Sequence, residues 1–416
     1  MKEFFCNNRK KFAEIADEKS VIVLFAGNAP TKRGDEKYPF SPDRNFYYAT
    51  GLDDENIIYM GCRNDGQFSE SLFLERPDPI KAKWVGAVIE ADEAREKSGV
   101  NDIKFIDQFF EEFSNIVFSK RIETVYLDLE NRDMKTYTPA FEFASKLQQN
   151  YPYIKIKNCY NRFAEFRRIK QDFEVSKIKE AIDITKEGIL FMMKNAKADM
   201  FEYEIEAYFD FVVKKRGAND FAFKSIAASG KNATVLHYSE NNCKTKENDL
   251  ILFDVGAQVG YYNGDITRTF PVNGKFTERQ KVIYDIVLRG QKKVIESIKP
   301  NLPFVRLNEI LKEFYFEELK KIGLIKENEG IDAVSRYYYH GVSHALGLET
   351  HDAGRHNEGV LEKGMVFTVE PGLYIADESI GIRIEDNVIV TDDGCDVLSK
   401  DIIKEISDIE AYMGER

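Results

Sequence analysis

Ile251-Leu-Phe-Asp254-Val-Gly-Ala-Gln-Val-Gly260-Tyr-Tyr-Asn-Gly-Asp265-Ile-Thr-Arg-Thr-Phe270 is a β-rich run broken by glycines and carrying two aspartates. Read as a hairpin turning at Val259-Gly260, position i pairs with 519 − i, which sets Asp254 directly opposite Asp265. Cross-strand Cβ atoms lie about 4.5–5.5 Å apart, and like charges so placed destabilise the pair unless something cationic sits between them. Asp254 also follows an apolar run, where an unpaired carboxylate is costly to bury. Two blander readings stay open on this segment alone. The acids could be solvated turn residues, and a turn centred on Asn263-Gly264 would break the pairing.

Working outward, histidine usage is lopsided. All five lie at His237, His340, His344, His351 and His356, with none in the first 236 residues. Because imidazole titrates near neutrality and is a common metal ligand, the chemistry is expected in the second half. His340-Gly-Val-Ser-His344-Ala-Leu-Gly-Leu-Glu-Thr-His351-Asp352 places three histidines in twelve residues, and its glycines favour loop plus strand over helix. In Met365-Val-Phe-Thr-Val-Glu370-Pro-Gly-Leu-Tyr-Ile375, Pro371 holds Glu370 extended and ends the ladder, so the carboxylate projects at a strand end. Gly381-Ile-Arg383-Ile-Glu385-Asp-Asn-Val-Ile-Val390 alternates, which puts Arg383 and Glu385 on one face with Ile382 and Ile384 opposite. Each segment alone could be a polar face or a structural histidine. Together they supply four carboxylates and one imidazole, a donor set for hard-to-borderline divalent metals: Mn2+ first, with Co2+, Zn2+ or Fe2+ as alternatives. Four carboxylates nominally balance two dications, and a pair of metals about 3.5–4 Å apart can hold a hydroxide and polarise a carbonyl.

The rest of the chain supplies a scaffold. β-rich runs at 21–27, 56–63, 71–75, 122–129 and 153–158 alternate with helical patterns at 90–97, 108–118 and 139–149, an α/β first domain over 1–160. The loop 28–44, rich in Pro, Gly and charge, is a candidate cleft wall. From 161 to 416 the order is two helices then strands, twice over, which suggests a pseudo-duplicated α+β domain without a residue-level repeat. A helix over 171–195 carries Ile178, Ala181, Ile182, Ile189 and Met192 on one stripe. Asp199 and Glu202 resemble a capping box for a second helix that Gly217 ends, and Thr277 with Gln280 opens another that stops before Pro300. The 416 residues are 43% hydrophobic and 31% charged, an ordinary globular composition. A net charge of −12 argues against nucleic acid as partner. No apolar run is long enough to span a bilayer, no signal peptide is evident, and five scattered cysteines read as reduced thiols, mostly buried and inert. A cytoplasmic location is expected.

These segments resemble those of the pita-bread metallopeptidases, specifically aminopeptidase P and prolidase. The likeness is collinear over about 168–391. It extends into the first domain through Tyr38-Pro-Phe40, Asn45-Phe-Tyr-Tyr-Ala-Thr-Gly51 and Trp84-Val-Gly86. The resemblance implies an aminopeptidase P-like first domain and a pita-bread catalytic domain with a pseudo-two-fold repeat. It implies two metal ions, with Asp265 and Glu385 bridging both, Asp254 on one, and His344 and Glu370 on the other. Outer roles carry over to His237 in Val235-Leu-His237-Tyr238, and to His340, His351 and Arg383. One departure is Thr350, where the family usually has Val or Ile, and little consequence is expected. The implied reaction is hydrolysis of the bond between an N-terminal residue and a following proline by a dimetal-bridged hydroxide. Glu370 would act as proton carrier, His351 and His237 as oxyanion donors, and His340 and Arg383 would orient the leaving part. Peptides with proline second are the implied substrates, in a homodimer or homotetramer, with no membrane partner. Prolidase, restricted to dipeptides, is the nearest alternative. Ser343 before His344 looks more like aminopeptidase P, but Arg383 could either pair with Glu385 or capture a dipeptide's carboxylate. A methionine aminopeptidase lacks so large a first domain, and a non-catalytic binding protein would be expected to lose ligands.

Overall fold

The computed structural model describes residues 1–130, 138–354 and 359–415, arranged as two compact units, Met1–Phe166 and Arg167–Arg416. His356 lies outside the described residues.

In the first unit, the apolar run Ser20–Phe25 forms the interior of a six-stranded mixed sheet. It runs antiparallel to Ile58–Asn64 and parallel to Thr124–Leu127. Val21, Val23 and Val125 alternate onto the face that buries Phe109, Phe113, Phe143 and Leu147. Those side chains come from the helices Phe109–Lys120 and Pro139–Asn150, the second opened by Thr138, whose hydroxyl accepts from Phe141 N at 3.4 Å, with Pro139 at its first turn. Among the elements that escape the periodicity reading are the helices Lys2–Ile15, Arg44–Thr50 and Ala82–Val85 and the strand Asp102–Phe105. The loop 28–44 contains a short ribbon, Thr31–Arg33 against Glu36–Lys37.

In the second unit the expected helix is Asp172–Asn195, and its five stripe residues are buried. The next helix, Glu202–Lys215, begins differently from the capping-box reading. Glu204 accepts from Phe201 N at 2.6 Å, while Glu202 is fully buried and engaged elsewhere. Thr277 and Gln280 do form a reciprocal cap on Glu278–Ser297, at 2.9 and 3.3 Å. The duplication shows in the sheets. Ile226–Ser229, Leu250–Val255 and Ile266–Pro271 form one three-stranded sheet, and Val366–Val369, Asp386–Val390 and Cys395–Val397 form its counterpart.

The hairpin register corrects the sequence reading. Asp254 pairs with Thr267 rather than with Asp265, and Val259 pairs with Tyr262. The turn residues are therefore Gly260 and Tyr261, both at positive φ (54° and 66°), the signature of a type I′ turn. A two-residue slip leaves every side chain on its original face. Asp254 and Asp265 therefore become diagonal neighbours on one face instead of directly opposed. Gly256 has no space for a side chain, since a Cβ there would stand 1.9 Å from the Gly264 carbonyl. The cysteines are all free, but only Cys62 and Cys159 are buried and Cys243 is exposed, so burial holds for two of the five.

Candidate metal centre

A cavity of about 640 Å³ opens in the second unit, within the range of small-molecule sites. All nine site residues singled out from sequence line it: His237, Asp254, Asp265, His340, His344, His351, Glu370, Arg383 and Glu385. They arrive from five places. The hairpin brings the two aspartates, and the turn after Gly230–Thr234 brings His237. The irregular stretch before Val366–Val369 brings the histidines, and the two strand ends bring Glu370 and Arg383-Ile-Glu385.

Asp265, His344 and Glu385 each offer one ligand atom, all within 4.8 Å of one another. Glu370 joins this group at its edge, with Oε1 3.5 Å from His344 Nε2, while Asp265 Oδ2 is 3.3 Å from the same nitrogen. The His344 Nδ1 lies 3.0 Å from the Ala345 carbonyl. That contact holds an Nδ1 proton and turns Nε2 toward the carboxylates, the nitrogen with which an imidazole so held would ligate a metal. Asp254 Oδ1 and Glu385 Oε1 are buried with no hydrogen-bond partner among the described residues. Buried carboxylate oxygens are normally satisfied. Burial, reinforced by Asp265, Glu370 and Asp254, drives Glu385 well above the usual carboxylate range, and burial likewise raises Asp265 and Glu370. For His344 burial works downward, but Asp265 and Glu370 raise it to about 9. So dense a set of acids, with two orphaned oxygens aimed into one space, fits divalent cations.

Arg383 does not pair directly with Glu385, one of the two partners that the sequence left open. It is 4% exposed, and its Nη2 donates to Asp254 Oδ2 at 2.6 Å, its Nε to Thr267 Oγ1 at 3.1 Å and its Nη1 to the Tyr374 hydroxyl at 3.2 Å. Thr267 in turn donates to Glu385 Oε2 at 2.7 Å, so Arg383 reaches Glu385 only through a hydroxyl. The alternating run is also not one strand. Ile380–Arg383 belongs to a two-stranded ribbon and Asp386–Val390 to the three-stranded sheet, with Ile384 and Glu385 at the break. His340 accepts at Nε2 from Tyr374 (2.8 Å) and places Nδ1 2.7 Å from the Gly341 carbonyl. Burial, then the Arg383 charge, pushes it down to about 3, a neutral imidazole.

Residues 176–392 match metallopeptidase family M24, and residues 5–126 match the N-terminal domain of aminopeptidase P. The chain belongs to family M24. An Xaa-Pro aminopeptidase of Haemophilus influenzae is 32% identical over 427 residues, covering 99% of this chain and 97% of the relative. A Bacillus anthracis structure assigned as an aminopeptidase P superposes with a TM-score of 0.97 at 49% identity, covering 100% of this chain and 98% of that one. Aminopeptidase P from Escherichia coli, solved with the inhibitor Pro-Leu, gives 0.92 at 28% identity with the same coverage. The M24 chain thus has the pita-bread catalytic fold preceded by an aminopeptidase P N-terminal domain, and the family implies divalent metal ions. Among the described residues no helix is long and apolar enough to cross a membrane.

Several contacts of this M24 site were not anticipated. Thr267 could have been found by alternation from Asp265 along the strand. Tyr374 and Asn387 gave no signal, yet Asn387 brackets the Asp265 backbone, accepting from its N–H at 3.1 Å and donating to its carbonyl at 2.6 Å. The Thr350 hydroxyl donates to the Ala222 carbonyl at 3.1 Å, next to Phe223 of the cavity wall. Val or Ile cannot make that bond.

Proposed function

We propose that this chain is a metal-dependent exopeptidase that hydrolyses the bond between an N-terminal residue and a following proline, with peptides longer than two residues among its substrates. The observation that carries the reading is the convergence of Asp265, His344 and Glu385, with orphaned oxygens on Asp254 and Glu385, in a single cavity. Asp254, Asp265, His344, Glu370 and Glu385 would hold the metals. Manganese is the proposed native ion, on the chemistry of four carboxylates and one imidazole. When bound, divalent ions polarise a carbonyl oxygen and lower the pKa of water.

The chain's own groups do the rest. Glu370, at the edge of the ligand group, receives the proton of the attacking water and passes it to the leaving proline nitrogen. His351 and His237, both exposed on the cavity wall, donate to the developing oxyanion. His340, held neutral with its Nδ1–H toward Gly341, orients the leaving part, and Arg383 acts behind it through the Tyr374 hydroxyl that both contact. A prolyl amide lacks an N–H and its ring fixes φ, so recognition by shape suits this apolar wall of Phe223, Ile226 and Leu236.

Chain length is argued from Arg383. A dipeptidase needs a cation free to capture the product carboxylate, and this guanidinium is already shared among Asp254, Thr267 and Tyr374. The division of labour between an N-terminal domain and a catalytic domain, a cytoplasmic location and a homodimeric or homotetrameric state belong to the same reading, on resemblance and composition. The test is kcat/KM of Mn2+-loaded protein on matched Xaa-Pro di-, tri- and pentapeptides and their N-acetylated forms. The longer peptides are expected to be cleaved at least as well as the dipeptide, and the acetylated ones to resist. Turnover of the dipeptide alone would make the enzyme a prolidase.

A further inference from the structure

Helix Glu278–Ser297 contributes nothing to the cavity wall, yet one of its side chains touches the backbone beside two of the proposed ligands. Gln291 is fully buried, and its Nε2 donates to the Val369 carbonyl at 3.1 Å and to the Ile384 carbonyl at 3.0 Å. Val369 immediately precedes Glu370, and Ile384 immediately precedes Glu385. These neighbours flank an interruption in the pairing of two antiparallel segments. Val366–Val369 pairs with Asp386–Val390 and Gly372–Ile375 with Ile380–Arg383, in one register that sets Val369 against Asp386 and Gly372 against Arg383, and between them Ile384 N donates to the Pro371 carbonyl at 3.2 Å. The ladder lapses at the two glutamates, and there one carboxamide bridges the carbonyls beside them on the two segments.

The amide cannot turn away from this task. Its Oε1 accepts from Lys404 Nζ at 2.8 Å, and the same ammonium donates to Asp386 Oδ2 at 2.5 Å. Asp386 also accepts from Arg268 Nη2 at 2.8 Å, and Arg268 Nη1 donates to the Glu385 carbonyl at 2.6 Å. With both N–H groups and the oxygen engaged, flipping the amide would set its oxygen against two carbonyls and its N–H groups against an ammonium. We propose that Gln291 is a positioning residue for the metal centre, setting the separation of Glu370 and Glu385 by holding the carbonyls that precede them. The inference rests on the reading that both glutamates hold metal.

The experiment measures the Mn2+ dissociation constant of metal-stripped full-length protein by competition with a fluorescent chelator, alongside its metal-free Tm. Gln291→Met keeps the shape and removes the N–H donors. It should weaken Mn2+ binding about 10–100-fold, the range typical of lost outer-shell support. Gln280→Met is the control. It lies on the same helix, is also buried, and donates to the Asn248 carbonyl at 2.8 Å, away from any proposed ligand. It should lower the metal-free Tm and leave Mn2+ affinity unchanged. If Gln291→Met binds Mn2+ within twofold of wild type while losing Tm as the control does, Gln291 is ordinary core and the proposal fails. Should Gln291→Met not fold, Gln291→Asn, too short to span both carbonyls, is read by the same two measurements. Absence of saturable Mn2+ binding by the wild type would instead overturn the metal-site reading itself.

Discussion

Glu385 and His351 line the same cavity but stand in different electrostatic positions. Glu385 is 1% exposed, one of its oxygens has no hydrogen-bond partner among the described residues, and the acids around it drive it toward protonation. His351 is exposed and packs edge-on against the His344 ring at 4.3 Å. Replacing the first should remove a ligand, and replacing the second should remove a donor. Glu385→Ala is therefore expected to lose both bound metal and activity. His351→Ala should keep its metal while kcat falls on the order of 10²–10³-fold, as for a lost oxyanion donor. Metal content by elemental analysis, read beside turnover, separates the two. If His351→Ala loses metal as completely as Glu385→Ala, its role has been misassigned. At this scale the residues that meet in the cavity were legible, because histidines and carboxylates are scarce or costly where apolar runs surround them. The partner of Arg383 was not. Alternation names a face, and the guanidinium crosses to another strand to reach Asp254.

Local sequence rules located elements better than they assigned side chains within them. Thr277 and Gln280 capped their helix as read, because both partners of a capping box lie within one turn. Glu202 sits at a similar spacing from Asp199, yet it accepts from Ser229 N and Oγ (both 2.7 Å), Asn232 Nδ2 (3.0 Å), Tyr238 OH (2.8 Å) and Cys243 N (3.0 Å). It thereby fastens the turn that carries His237, through partners some 27 to 41 residues away. The first turn of helix Asp172–Asn195 hides a second buried acid. Glu174 is 1% exposed, accepts from Tyr262 OH at 3.1 Å and Gln171 N at 3.0 Å, and burial raises it to about 7 despite Lys170 nearby. A carboxyl raised in the folded state stabilises most fully below its unfolded pKa of 4.5, and that contribution is lost as pH rises through about 7. Glu174→Gln, which cannot ionise, should therefore gain Tm relative to wild type between pH 5 and pH 8.5, with little difference at the acid end. Thermal melts across that range check it, and a pH-independent difference would show that Glu174 is not the titrating group.

The molecule as a whole carries a net charge of −12 and concentrates four carboxylates in one cavity, so its second unit folds around self-repulsion. Metal ions that bind only the folded chain should offset this. Mn2+ at 100 times its dissociation constant adds about 2.7 kcal/mol of stability by mass action alone. Chelation is accordingly expected to lower Tm and abolish peptidase activity together, with Mn2+ restoring both. Full activity in a sample shown by elemental analysis to be metal-free would refute the metal requirement. The sequence alone indicated the two-part organisation, much of the helix–strand order and the residues that meet in one cavity. Those properties are written in periodicity, in turn chemistry and in the spacing of a few costly side chains. Tertiary structure alone decided the rest. It moved the hairpin turn by one position, which turned two opposed aspartates into diagonal neighbours. It committed Arg383 to Asp254, put Glu202 behind the His237 turn, and set Gln291 across the gap in a strand pair. The physical reason is common to all four. Sequence patterns record which face a side chain takes, whereas register and long-range hydrogen bonds depend on backbone groups that carry no residue identity.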